Sequence, residues 1–334
     1  MIIPFFIPHS GCPHQCVFCN QKNITGQNRP ADIASIRTTI IQYLNNDNTR
    51  KPAQIAFYGG SFTALPTELQ RQYLETALPF IRAGQIRNIR LSTRPDGISN
   101  DILALLKEYG VTTVELGAQS MDDRVLTLAG RGHSAKDTVR AIHLLRESGF
   151  TTGLQLMPGL PGDSAAGFMN TVLETIGLRP DFVRIYPALV IKGTRLEELY
   201  AAGHYTPLSQ DNAVSLSRDA LLKFEQAGIK VVRVGLQPTE ELEKPGTVLA
   251  GPYHPAFRQL VESSLLLDKM IKVLQERKIA DASATILVNP GELSSAIGQK
   301  SFNREALKKQ FNLQEVHILP DANVSKRTIQ LKTA

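Results

Sequence analysis

Cysteine is scarce in this chain: among 334 residues there are three, and all fall in the window Gly11 to Cys19, GCPHQCVFC. No framework of paired disulfides can be built from them, so a disulfide-stapled secreted domain is excluded and a reducing, cytoplasmic setting is expected. Long apolar runs are missing too, and none approaches the ~20 residues a membrane-spanning helix needs. The opening MIIPFFIPHS lacks the basic flank and the apolar length of a signal peptide; it reads as a first buried strand. Charge is only mildly one-sided, at +6 overall, and 42% hydrophobic with 20% charged residues is the make-up of a globular protein with one large domain and a smaller one. Against that even background Lys300 to Ala334 carries seven Lys and Arg against three acids, which concentrates the positive charge at one end.

The cysteines have the spacing CxxxCxxC at Cys12, Cys16 and Cys19. Three thiolates on a short loop can wrap one face of a compact metal centre, and a [4Fe-4S] cube held this way keeps one iron free of protein ligands. A zinc site closed by His9 or His14 is an alternative, although structural zinc usually takes its ligands as two separated pairs. Unligated core thiols are a further one.

Strand and helix patterns alternate along the chain. Strands are expected at Gln54–Tyr58, Ile89–Thr93, Thr113–Gly117, Thr152–Met157, Phe182–Tyr186 and Lys230–Val234. Helices are expected at Asp32–Leu44, Pro66–Ile81, Ser99–Tyr109, Ser164–Ile176 and Ser209–Ala227, with helical segments either side of Gly130-Arg131-Gly132. Such a run of βα units predicts an α/β fold, a partial or complete (β/α) barrel whose site lies on loops after the C-terminal strand ends.

The distinctive residues cluster on those loops. Gly59-Gly60 follows the second strand, where glycines let backbone approach a ligand or simply make a tight turn. Ser92-Thr93-Arg94-Pro95-Asp96 ends the third, its Arg94 and Asp96 able to bind ligand or each other. VELGAQS sets Glu115, Gly117 and Gln119 on one face. GRGH brings Arg131 and His133; LMPGLPG forms a Pro-bracketed ledge around Gly159; YPALVIKGT offers Tyr186 and Lys192.

With Phe18 just before its last cysteine, the CxxxCxxC loop resembles the cluster loop of the radical S-adenosylmethionine (SAM) enzymes. The resemblance implies that Cys12, Cys16 and Cys19 hold a [4Fe-4S] cluster whose open iron binds SAM. It also implies a reducing partner such as ferredoxin or flavodoxin. Phe18 would lie near the adenine, Gly59 and Gly60 at the SAM amino group, Gln119 at the ribose, Arg131 at the carboxylate and Gly159 at the adenine edge. Within that superfamily FYGGSFTALP, STRPDGI, VELGAQS, GRGH, MPGLPG and LVIKGT resemble the catalytic subunit of Elongator, which modifies the tRNA wobble uridine. The acetyltransferase domain and RNA-binding N-terminal extension of that group have no counterpart in the sequence. A weaker likeness joins it to oxygen-independent coproporphyrinogen oxidases.

The remainder reads as a connecting helix within 251–277, from Pro255 to about Arg277, and a small α+β domain over 278–334, after a barrel spanning 1–250. ILVNPGELSSAIGQKSFNREALKKQF resembles a KH-type RNA-binding domain, with Gly298-Gln299-Lys300-Ser301 in place of its GxxG loop. Lys300, Arg304, Lys308 and Lys309 are then candidates for phosphate contact. The expected function is a radical SAM enzyme modifying an RNA base, with small-molecule chemistry or non-catalytic RNA binding as alternatives, and no membrane partner.

Overall fold

The computed structural model describes every residue except 8, 9, 28, 30, 47–50, 278–282 and 333–334. The chain divides into two compact units, 1–210 with 220–253 and 211–219 with 254–334.

The first unit is built on strands β1 (Ile2–Phe6), β2 (Ala53–Tyr58), β3 (Ile86–Thr93), β4 (Val111–Gln119), β5 (Thr151–Leu156), β6 (Phe182–Ile185), β7 (Val190–Ile191), β8 (Lys230–Val234) and β9 (Val248–Ala250). Seven of them form one parallel sheet in the order β1-β2-β3-β4-β5-β6-β8, and β7 with β9 makes a small antiparallel ribbon. The order follows the chain, as successive βα units wound in one direction give, and the sheet curls into an open half-barrel. Helices Ile33–Asn45, Thr67–Glu75, Asn100–Glu108, Ala135–Glu147 and Ala165–Leu178 are among those connecting the strands. The single helix predicted over 66–81 is two, Thr67–Glu75 and Leu78–Arg82. Pro79 is the cause, since it has no N–H to donate to the Glu75 carbonyl one turn earlier.

Period two sorts the residues of this sheet onto its faces. On one face the register aligns Phe5 with Phe57, Phe57 with Leu91 and Leu91 with Val114, then Leu154 with Val183. All are buried. Phe57 anchors an aromatic cluster there, with ring centroids 5.9 Å from Phe5, 5.2 Å from Phe62 and 5.7 Å from Tyr73. The opposite face is polar by contrast. It pairs Ala56 with Arg90, Ser92 with Glu115, Gln155 with Arg184 and Arg184 with Arg233. A parallel sheet with charge on one face has a cavity to line rather than a second layer to pack.

The second unit carries β10 (Ser283–Val288), β11 (Glu315–Pro320) and β12 (Ile329–Leu331), with β10 parallel to β11 and antiparallel to β12. The helix Phe257–Glu276 belongs to it and buries Phe257, Val261, Leu265, Leu266, Met270 and Leu274. Asn303 is buried, its side-chain nitrogen 3.0 to 3.2 Å from the carbonyls of Ser263, Ser295 and Ala296. Among the described residues no helix is long and apolar enough to cross a membrane.

Candidate active site

The cysteine loop leaves the end of β1 and is fixed by backbone bonds to three other loops. Ser61 N–H donates to the Ser10 carbonyl at 2.9 Å, Val17 N–H to Ala129 at 3.0 Å, and Leu196 N–H to Val17 at 2.7 Å. Gly60 makes the first approach possible. With φ at +58°, a Cβ there would sit 2.3 Å from the Ser10 oxygen and 2.5 Å from that of Ile7. Its N–H is taken by Gln21 Oε1 at 2.8 Å. Gly132 does the same for a side chain, since the His14 ring occupies the place its Cβ would fill.

Cys12, Cys16 and Cys19 line one cavity of about 760 Å³, together with Phe18's neighbours in the loop and the polar face of the sheet. Burial, then Cys16 and Cys12, pushes the Cys19 thiol up to about 12; burial and then Cys16 raise Cys12. The three sulfurs therefore share one electrostatic neighbourhood, in which bare thiolates would repel. Iron in place of the protons removes that conflict, and the donor set fits a cluster. Among the described residues no three Cys, His, Asp or Glu side chains converge on a single ion; in a cube each thiolate has an iron of its own. His9, one partner in the zinc alternative, lies outside the described residues.

Arg131 joins the loop to the strands. It donates from Nη1 to Cys16 Sγ at 3.1 Å and from Nη2 to the Gly117 carbonyl at 2.5 Å, while its buried Nε has no hydrogen-bond partner. Its carbonyl accepts from Arg94 Nη2 at 2.5 Å, and Arg94 also pairs with Asp96 at 3.0 Å. Arg94 and Asp96 thus bind each other. Burial, then Arg131 and Arg94, pushes His133 down to about 4, so the imidazole is neutral at pH 7.

Phe18, Gly59, Gly60, Gln119 and Arg131 all line the same cavity as the thiols. Gln119 holds φ at +70° where β4 loses register with β5, and its Oε1 accepts from Gln155 at 3.3 Å. Gly159 is set apart. It lines a second cavity of about 590 Å³, where its N–H donates to Asp163 at 3.0 Å and its carbonyl accepts from the Tyr205 hydroxyl at 2.6 Å. Both its polar groups are engaged, and Met157 of the same ledge faces the thiols' cavity instead. Lys192 is exposed.

Glu115 and Tyr186, which the sequence points to, belong to a charged network at this cavity whose arginines it does not reveal. Glu115 Oε1 lies 3.1 Å from Arg90, and its Oε2 lies 2.5 Å from Arg184 Nε. Arg184 also reaches the hydroxyls of Tyr186 at 3.3 Å and Tyr58 at 3.4 Å. Burial works against the Arg184 charge, but Tyr186 and Glu115 outweigh it and hold the guanidinium well above its ordinary pKa. Burial, followed by Glu115, raises Tyr58. The available signal was a lone arginine inside an otherwise apolar strand, in FVRI, and an arginine between valines in KVVRV.

In the second unit the candidate RNA contacts sit on and after the loop Gly298–Ser301. Lys300 and Ser301 have φ of +49° and +62°, unusual for residues with a side chain. Lys300, Arg304 and Lys309 are exposed; Arg304 and Lys308 approach Glu305 at 3.4 and 4.0 Å. Phe302 stands between them, 66% exposed.

A three-thiol loop over the strand ends of an open parallel half-barrel defines a class of enzyme that works through an iron–sulfur centre and a small cofactor held beside it. The chain belongs to the radical SAM superfamily, whose model matches residues 6–175, with the radical SAM C-terminal domain matching 180–266. The cofactors of that family are a [4Fe-4S] cluster and SAM, and within it the chain is Elongator-like. It is 28% identical over 246 residues to the tRNA uridine(34) acetyltransferase of Methanocaldococcus infernus, an alignment covering 61% of this chain and 46% of that protein. To an uncharacterized protein of Methanocaldococcus jannaschii it is 30% identical over 227 residues, covering 63% and 68%. The chain thus spans about half the length of the acetyltransferase it matches. The solved structure of archaeal Methanocaldococcus infernus Elp3 lacking its N-terminus superposes with a TM-score of 0.61 over 83% of this chain and 63% of that one. At 23% identity that likeness shows the fold alone.

Proposed function

We propose that this chain is a radical SAM enzyme that modifies a base of tRNA. The observation that carries the reading is one cavity lined by Cys12, Cys16, Cys19, Phe18, Gly59, Gly60, Gln119 and Arg131. In it the three thiolates hold the cluster and Arg131, which lines the same cavity, serves the SAM carboxylate. Gly59 and Gly60 present backbone to the amino group, Gln119 an amide to the ribose, and Phe18 an aromatic face near the adenine. Gly159, proposed for the adenine edge, lines the neighbouring cavity. Together the two cofactors supply a 5′-deoxyadenosyl radical by one-electron reductive cleavage of SAM, the electron coming from a ferredoxin- or flavodoxin-type donor. The chain's own part is to orient both in a partly apolar chamber.

Support for an RNA substrate comes from the relative named as a tRNA uridine(34) acetyltransferase and from the basic loop of the second unit. Lys300, Arg304, Lys308 and Lys309 offer partners to phosphate, and the exposed Phe302 offers a face on which a base can stack. A cytoplasmic location accompanies that substrate. The test is anaerobic reconstitution, reduction, and assay of 5′-deoxyadenosine with and without bulk tRNA. The expected result is a several-fold rise with tRNA. Cleavage indifferent to RNA moves the substrate to small molecules, and no cleavage at all overturns the reading.

A further inference from the structure

Arg184 and Arg233 are register partners on β6 and β8, both on the polar face and both lining the 760 Å³ cavity. Neighbouring strands lie only about 4.8 Å apart, and like charges placed opposite one another destabilise a sheet. Arg184 has its counter-ion in Glu115, which Arg90 shares. Arg233 has none: among the described residues it makes no hydrogen bond and no ion pair, although it is half-buried. The Glu115 carboxylate therefore serves both Arg90 and Arg184, and the positive charge of Arg233 on the cavity wall is left without a counter-ion. A cation held in such a wall without a partner is costly unless a ligand supplies the anion. The planar fork of arginine matches two oxygens of an oxyanion.

From this juxtaposition we infer that Arg233, supported by Arg184, is the subsite for an oxyanion of the substrate, the phosphate that an extruded nucleotide brings in with its base. The inference rests on the RNA reading for the identity of that phosphate. Enzymes acting on a base take it out of the stack, so its phosphate must be accommodated near the pocket. The Glu115 bridge holds Arg184 rigid and leaves Arg233 free to close on the ligand.

The test uses the cluster-loaded protein and calorimetric titration with uridine 5′-monophosphate and uridine, with inorganic phosphate and acetate as competitors. Uridine 5′-monophosphate should bind at least tenfold more tightly than uridine, and more weakly as salt rises. Arg233→Gln should erase the difference and Arg233→Lys should restore part of it, with thermal melting to show that each variant is folded. Acetate competing as well as inorganic phosphate keeps the oxyanion subsite and assigns it to a carboxylate substrate. No preference for the phosphate in the native protein overturns the inference. So does a preference that survives Arg233→Gln, or a parallel loss of SAM affinity, which would give Arg233 to the cofactor. Failure of tRNA to stimulate SAM cleavage alongside Arg233-dependent phosphate binding would sink the RNA reading alone.

Discussion

Arg131 Nη1 donates to Cys16 Sγ at 3.1 Å, joining residues 115 positions apart in the chain. A hydrogen bond to a ligating sulfur draws negative charge off it and favours the reduced cluster. The same side chain lines the cavity that Cys12, Cys16 and Cys19 share, so one guanidinium belongs both to the cysteine loop and to the chamber beside it.

Replacing Arg131 with Met should therefore lower the cluster's reduction potential and weaken SAM binding at least tenfold, while iron content stays at that of an intact [4Fe-4S] cluster. Potentiometry and SAM titration separate the two effects. A variant that binds SAM normally would remove Arg131 from the cofactor site.

Cys12→Ala, Cys16→Ala and Cys19→Ala should each strip the cluster and abolish SAM cleavage. His14→Ala should leave iron content intact, because the ring lies against Gly132. Iron analysis and absorption spectra decide; loss of metal on His14→Ala would revive a mixed Cys and His site.

Gly60→Ala should push the cysteine loop away from β2, since the new methyl meets backbone oxygens at 2.3 and 2.5 Å. Stability should fall by about 2 kcal/mol and iron incorporation several-fold. Urea melts and iron analysis check both.

His133 gives a pH signature. Its folded pKa, about 4, lies below the ordinary value near 6.5, so the unfolded chain binds the extra proton first. The stability of the neutral form is complete above pH 6.5 and is lost as the pH falls toward 4. Between pH 7 and 5 the loss should be about 2 kcal/mol, and His133→Phe should remove that part of the slope in urea melts.

Ser301→Gly should stabilise the second unit by up to about 1 kcal/mol, because φ of +62° suits glycine. It should also strengthen tRNA binding by letting phosphate approach the loop backbone. Filter binding that is unchanged, with Lys300→Glu equally silent, would take RNA away from this loop.

Much of this arrangement was legible in the sequence because it is local. The CxxxCxxC loop, the Gly59-Gly60 pair and the strand-ending motifs are contiguous words, and the period-two strands placed them at one end of the sheet. What escaped was set by register. Glu115, Arg184 and Arg233 come from three strands, and only strand order and alignment bring them into one chamber, with Arg90 of a fourth strand paired to Glu115. Gly159 shows the converse: its motif was plain, but Asp163 and Tyr205 had already taken its polar groups. The break before Pro79 was open to reading, for a proline four residues after a helical carbonyl cannot complete its bond.

The backbone anchoring of the cysteine loop sets how this protein ages and recovers. Bonds from Ser61 to Ser10, Val17 to Ala129 and Leu196 to Val17 involve no thiol, so none of the three needs iron in order to form. Oxidative destruction of the cluster then costs chemistry and leaves a receptive scaffold. Repair becomes a matter of iron and sulfide supply, with no need for the chain to be unfolded, degraded or made again.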